Sequence, residues 1–202
     1  MAQRRQELEK ELVGLAQKGA FALIAQNLEE YEYFCAENPK DALPLYGAQL
    51  LSYLIENEIH YARFLWRRIP KKIKETDPEL NAIWTIGQNV WNKKYTDIYQ
   101  SAQAYNWSPG TVLFVQAFVE KFRERTFKLI SSAYSNISTG DLAVLLGLSE
   151  QDAITLAVQH GWTHDAASGS VAPRPIVPET RQGASLDQLQ QLTDYVCFLE
   201  EN

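Results

Sequence analysis

The 202-residue sequence predicts an all-α chain that carries one small β-sheet. Three observations lead there. Apolar side chains recur three and four residues apart over most of the chain, the spacing of one face of a helix. The stretches so marked are short and fall in pairs, separated by Asn, Lys, Pro or Gly. Near residues 162–172 the pattern gives way to two brief extended segments around small residues, the mark of a hairpin.

Each element has its own warrant. Leu8, Leu12, Leu15 and Ala16 share one helical face, and Phe21, Ile24, Ala25 and Leu28 share the next. Pro44 suits a first helical position ahead of Leu45, Gln49, Leu50 and Leu54, with a turn at Glu56-Asn57. Ile59, Ala62, Leu65 and Trp66 make the partner helix, which stops before Pro70 because proline lacks the required N–H. Asp77-Pro78 is a cap followed by a first-turn proline. It opens a helix bearing Leu80, Ile83, Trp84, Gly87 and Trp91. After a break at Asn92-Lys93 come Tyr95, Ile98, Tyr99 and Ala102, and Ser108-Pro109 opens a helix through Val112, Val115, Ala117, Val119 and Phe122. Pairs of this kind predict tetratricopeptide-like helical repeats over residues 1–125, each pair needing its neighbours for burial.

From residue 126 the order changes. A separate helix, Phe127 to Tyr134, is expected, followed by Ser138-Thr139-Gly140-Asp141, a Ser-x-x-Asp start resembling a capping box. Leu142 to Leu146 form that helix and Gly147 ends it. Ser149 caps the next, with Ala153, Ile154, Leu156 and Ala157 running to Gly161. Two short helices about a turn make a helix-turn-helix. Trp162-Thr163-His164 and Ser170-Val171-Ala172 complete it as a hairpin, so residues 126–175 read as a winged helix. Pro173, Pro175, Pro178 and Gly183 mark a semi-rigid linker, placed at 176–184. Ser185 then caps a final helix, 185–202, with Leu186, Leu189, Leu192, Val196 and Leu199 in one stripe, widened by Tyr195 and Phe198.

Reactive chemistry is scarce. The ten glycines form neither a dinucleotide fingerprint nor a P-loop, and no zinc-protease, nucleophile-elbow or Cys-x-x-Cys motif occurs. His160 and His164 have the four-residue spacing that could present two metal ligands on a helix, but Gly161 is expected to end the helix between them. The tryptophans Trp66, Trp84, Trp91, Trp107 and Trp162 could form a ligand cage, yet their helical spacing beside Leu and Ile fits packing between repeats better. No catalytic residue, metal site or cofactor site is expected, and the chain is read as not an enzyme.

Two widely separated cysteines favour a reducing compartment over a secreted disulfide framework, a net charge of −6 argues against a general affinity for nucleic acid or anionic membrane, and no apolar run reaches the ~18 residues of a membrane span. A nucleic-acid-reading winged helix needs Lys and Arg around its second helix. Between Lys128 and Arg174 there is neither, against Asp141, Glu150, Asp152 and Asp165. Neither nucleic acid nor membrane is therefore expected as a partner. Arg67, Arg68, Lys71, Lys72 and Lys74 make the chief cationic patch, which could bind an acidic partner but is read first as a solvated face. Interaction surface remains: open strand edges in the wing, and an amphipathic tail whose five aliphatic anchors would each gain about 1.5–3 kcal/mol on burial.

Ala62-Arg63-Phe64-Leu65-Trp66-Arg67-Arg68-Ile69-Pro70, Ile86-Gly87-Gln88 with Trp91, Ser132-Ala133-Tyr134, Gly161-Trp162 and the tail Leu192 to Glu200 carry a resemblance. It is to the PCI-domain proteins, and within them to the small subunits of the COP-nine signalosome. The resemblance covers the chain from about Leu45 onward. It implies a non-catalytic scaffold subunit, without cofactor, of a complex that removes the ubiquitin-like protein Nedd from cullin ubiquitin ligases in cytoplasm and nucleus. It further implies contacts to other signalosome subunits through two surfaces. The wing-sheet edge would comprise Ile137, Trp162, Thr163 and Val171; a common helix bundle would take Leu186, Leu189, Leu192, Tyr195, Val196 and Leu199. A related subunit of the proteasome lid shares this architecture and stays open. A winged-helix nucleic-acid binder is the distant alternative.

Overall fold

The computed structural model describes residues 12, 14–16, 19–37, 45–165, 168–174, 193 and 196. Its helices are α1 (Phe21–Glu37), α2 (Tyr46–Ile55), α3 (Ile59–Arg68), α4 (Lys71–Thr76), α5 (Pro78–Trp91), α6 (Tyr95–Ala104), α7 (Pro109–Ala133), α8 (Thr139–Leu146) and α9 (Glu150–Gln159). Three short strands accompany them: β1 (Ile137–Ser138), β2 (Thr163–Asp165) and β3 (Ser170–Ala172). The architecture is the expected one, helical repeats followed by a winged helix.

Local chemistry sets the boundaries. The Asp77 side chain accepts a hydrogen bond from Leu80 N at 3.1 Å, with Pro78 in the first turn of α5. Ser138 Oγ accepts from Asp141 N at 3.0 Å and donates to the Asp141 carboxylate at 2.7 Å, and Ser149 repeats both contacts with Asp152 at 3.2 and 2.7 Å. Many of the endings share one device. Five times a left-handed residue (Gly19, Asn57, Lys93, Gly147, Gly161) stops a helical run. In each case the next N–H reaches back five residues: Ala20 to Leu15 O, Glu58 to Tyr53 O, Lys94 to Asn89 O, Leu148 to Ala143 O, Trp162 to Ala157 O. This satisfies carbonyls that a helix end leaves without partners and turns the chain sharply.

Two hydrophobic clusters result. One gathers Ile24, Leu28, Leu50, Leu54, Leu65, Ile83, Ile86, Ile98 and Phe118 among the repeat helices. The other gathers Phe127, Ile130, Ile137, Leu142, Leu146, Ala153, Ala157, Trp162 and Val171 in the winged helix.

Two expectations need correction. The separate helix expected from Phe127 is the second half of α7, which runs unbroken from Pro109 to Ala133. The polar stretch at Lys121–Thr126 is a handover between clusters, with Phe122 in the first and Phe127 in the second. Its arginines serve other helices: Arg125 Nη2 donates to Ile55 O at 2.8 Å and Leu54 O at 3.3 Å, and Arg123 Nε to Leu146 O at 3.0 Å. Each caps the carbonyl end of a neighbouring helix, so charge in mid-helix is satisfied rather than disruptive. The second correction is α4, which fills the interval after Pro70 where no helix was expected. Its sequence, Lys-Lys-Ile-Lys-Glu-Thr, holds one aliphatic residue and shows no apolar period.

Candidate subunit-docking surfaces

The wing begins with the sheet order β1-β3-β2, antiparallel throughout. Ile137 stands opposite Val171, and Thr163, His164 and Asp165 stand opposite Ala172, Val171 and Ser170. A strand three residues long offers few ladder bonds, so the sheet relies on packing beneath it. Ile137 and Val171 supply that packing from the inner face, Val171 with 0 % exposure. Ser168 donates to the Asp165 carboxylate at 2.7 Å and its hydroxyl meets that of Ser170 at 2.6 Å, tying the hairpin together.

The four residues expected at the sheet edge are thus not equivalent. Val171 is not an edge residue, because β3 lies between the other two strands and pairs on both sides. Trp162 precedes β2 and is buried, its indole stacked on Phe127 with ring centres 4.0 Å apart. Ile137 is on an outer strand, but its side chain belongs to the core. Thr163 alone combines an outer strand with an exposed side chain. The edge consists of the outer backbone of β2 (Thr163–Asp165) and of β1 (Ile137–Ser138). Strand order cannot be read from strand spacing, so the sequence alone does not separate Val171 from the edge strands.

The winged helix and the end of α7 also expose apolar side chains. Leu129 and Tyr134 near the end of α7, Val144 on α8 and Val158 on α9 all reach solvent. Sequence reading assigned these residues to helices without separating outer from inner faces. The signal was weak, since α8 is apolar almost throughout (Thr-Gly-Asp-Leu-Ala-Val-Leu-Leu).

For the tail, Val196 is helical and 51 % exposed, and Thr193 is helical and exposed. Leu186, Leu189, Leu192, Tyr195 and Leu199 lie outside the described residues, as does the linker after Arg174.

His160 and His164 do not share a helical face. His160 caps the end of α9 with its ring 4.6 Å from that of Phe127, whereas His164 sits on β2 beyond the left-handed Gly161. Among the described residues no group of three or more His, Cys, Asp or Glu could hold a metal ion, and no helix is long and apolar enough to cross a membrane. α9, the helix that reads DNA in nucleic-acid-binding winged helices, carries Glu150 and Asp152 in its first turn and no basic residue.

The repeats contact the wing directly. Tyr99 of α6 donates to Leu145 O at 3.2 Å and packs edge-on against Phe122, with the Arg123 guanidinium 5.7 Å from its ring centre. Burial pushes the Tyr99 phenol up to about 12. Gly147 faces the same ring, and the contact is so close that a Cβ there would overlap it.

Stacked helix pairs running without interruption into a winged helix define the PCI architecture. Residues 41–180 match the CSN8/PSMD8/EIF3K family, and the chain belongs to that family. Among its relatives, the COP9 signalosome complex subunit 8 of Arabidopsis thaliana is 42% identical over 155 residues, 77% of this chain and 79% of that protein. The subunit 8 of Danio rerio is 38% identical, covering 77% of this chain and 82% of the relative. That of Xenopus tropicalis is 36% identical over 89% of this chain and 98% of the relative.

Proposed function

We propose that this chain is a non-catalytic scaffold subunit of the COP-nine signalosome, the complex that removes Nedd from cullin ubiquitin ligases. The observation that carries the reading is the winged helix itself, with two open strand edges and no cation where phosphates would be met. Adjacent subunits would extend the sheet by pairing with the outer backbone of β1 and of β2 at Thr163. The tail stripe, Leu186, Leu189, Leu192, Tyr195, Val196 and Leu199, would enter a bundle with partner helices. A helix of that length is marginal alone in water, so its apolar face favours association. The similarity to subunit 8 proteins of plants and vertebrates supports the signalosome over the proteasome lid. Catalysis would belong to another subunit, and the work would be done in cytoplasm and nucleus.

The tail carries the test. Leu192→Asp with Val196→Asp should release the protein from its complex in a glycerol gradient and leave its thermal melt unchanged. Full co-sedimentation of the double variant would mean that the tail is not the anchor.

A further inference from the structure

The face formed by α3, α4 and α5 is unlike the rest of the molecule. Residues 59–74 carry six cations and no carboxylate, in a chain whose net charge is −6, so all other residues together carry −12. α5 contributes no charge between Leu80 and Trp91. Between these helices runs a groove of about 420 Å³, lined by Ile59, Arg63, Trp84, Gly87, Gln88 and Trp91. The Arg63 guanidinium lies 5.1 Å from the ring centre of Trp91, and the Lys74 ammonium 4.8 Å from that of Trp66. Trp66 in turn stacks on Trp84 at 4.8 Å, nearly parallel. Trp91 thus holds Arg63 at the groove, and Trp66, behind Trp84, holds Lys74 beside it. Arg63, Arg67, Lys71 and Lys72 are exposed, and among the described residues none of them forms an ion pair.

We infer that this groove docks an acidic polypeptide segment, which sets one apolar side chain between Trp84 and Trp91 and lays carboxylates against Arg63, Arg67 and the lysines of α4. Charge complementarity selects the occupant. Arg68 is already paired with Glu32 at 2.7 Å, but the four exposed cations Arg63, Arg67, Lys71 and Lys72 attract a short acidic segment within a Debye length, about 8 Å in physiological salt. A long polyphosphate would run off the patch onto a surface carrying the opposite balance. Base stacking is also less well served, because Trp66, Trp84 and Trp91 each have a ring face already occupied. The site is on the repeats rather than on the wing sheet, and it stands whether or not the scaffold reading holds.

The test is fluorescence anisotropy on the full chain. The probe is a short labelled peptide of Asp and Glu around one leucine, compared with its Asn and Gln counterpart. The acidic peptide should bind at least about tenfold more tightly, with an advantage that shrinks as salt rises. Arg63→Glu with Arg67→Glu should remove that advantage, whereas the charge-matched control Lys121→Glu with Lys128→Glu, placed on α7, should keep it. Circular dichroism establishes that each variant is folded. Trp91→Ala should weaken binding while leaving its salt dependence in place. Equal binding of the amide peptide, equal loss in the α7 control, or tighter binding of oligothymidine than of the acidic peptide would overturn the inference.

Discussion

Tyr99 and Gly147 show how one contact can couple two halves of a molecule. The phenol crosses from α6 to the last carbonyls of α8, and the absence of a side chain at Gly147 lets the ring lie flat against the turn. The glycine is required twice over, since its φ of +61° lies in the left-handed region that side chains disfavour. Gly147→Ala combines backbone strain with overlap on a buried ring. It should cost about 2–4 kcal/mol, read as a lowered midpoint in urea unfolding. Tyr99→Phe keeps the ring and loses only the hydroxyl, so it should cost far less. Similar losses in the two variants would mean that the hydrogen bond, rather than the close approach, joins the halves.

At the scale of elements, one turn recurs. The α2–α3 and α5–α6 pairs are both closed by a left-handed residue with a backbone bond reaching five residues back, but they use Asn57 and Lys93 where the winged helix uses glycine. Asparagine tolerates this conformation and lysine does so poorly. Lys93→Gly should therefore stabilise the chain by about 0.5–1 kcal/mol, a rise of roughly 1–4 °C in Tm. A fall in Tm would show that the Lys93 side chain contributes more than its backbone strain removes. The same elements show what a sequence makes visible. Caps were legible because Asp77, Ser138 and Ser149 act within three residues of themselves. The turns at Asn57 and Lys93 were legible because they interrupt an apolar period. The unbroken α7 was not, because its polar middle earns its place through Arg123 and Arg125 contacts with helices far away in sequence. Nor was the central position of β3, which depends on pairing with a strand more than thirty residues earlier.

For the whole molecule, the winged helix and the repeats present surfaces of different kinds. The wing offers backbone edges and scattered apolar side chains, with acidic residues around α9. The repeats offer a cationic, tryptophan-walled groove. Both are surfaces on which another chain could dock. The strands of the wing were legible in the sequence, but the burial of Ile137, Trp162 and Val171 was not, because it depends on helices packed beneath the sheet. The central claim is that the chain acts by joining other subunits. Mass spectrometry of proteins that co-purify with the tagged chain from cells tests it most directly. The account predicts recovery of the other signalosome subunits in near-stoichiometric amounts, together with cullins at lower yield. Recovery of the chain alone, with proteasome-lid subunits, or with nucleic acid as its main companion would contradict it.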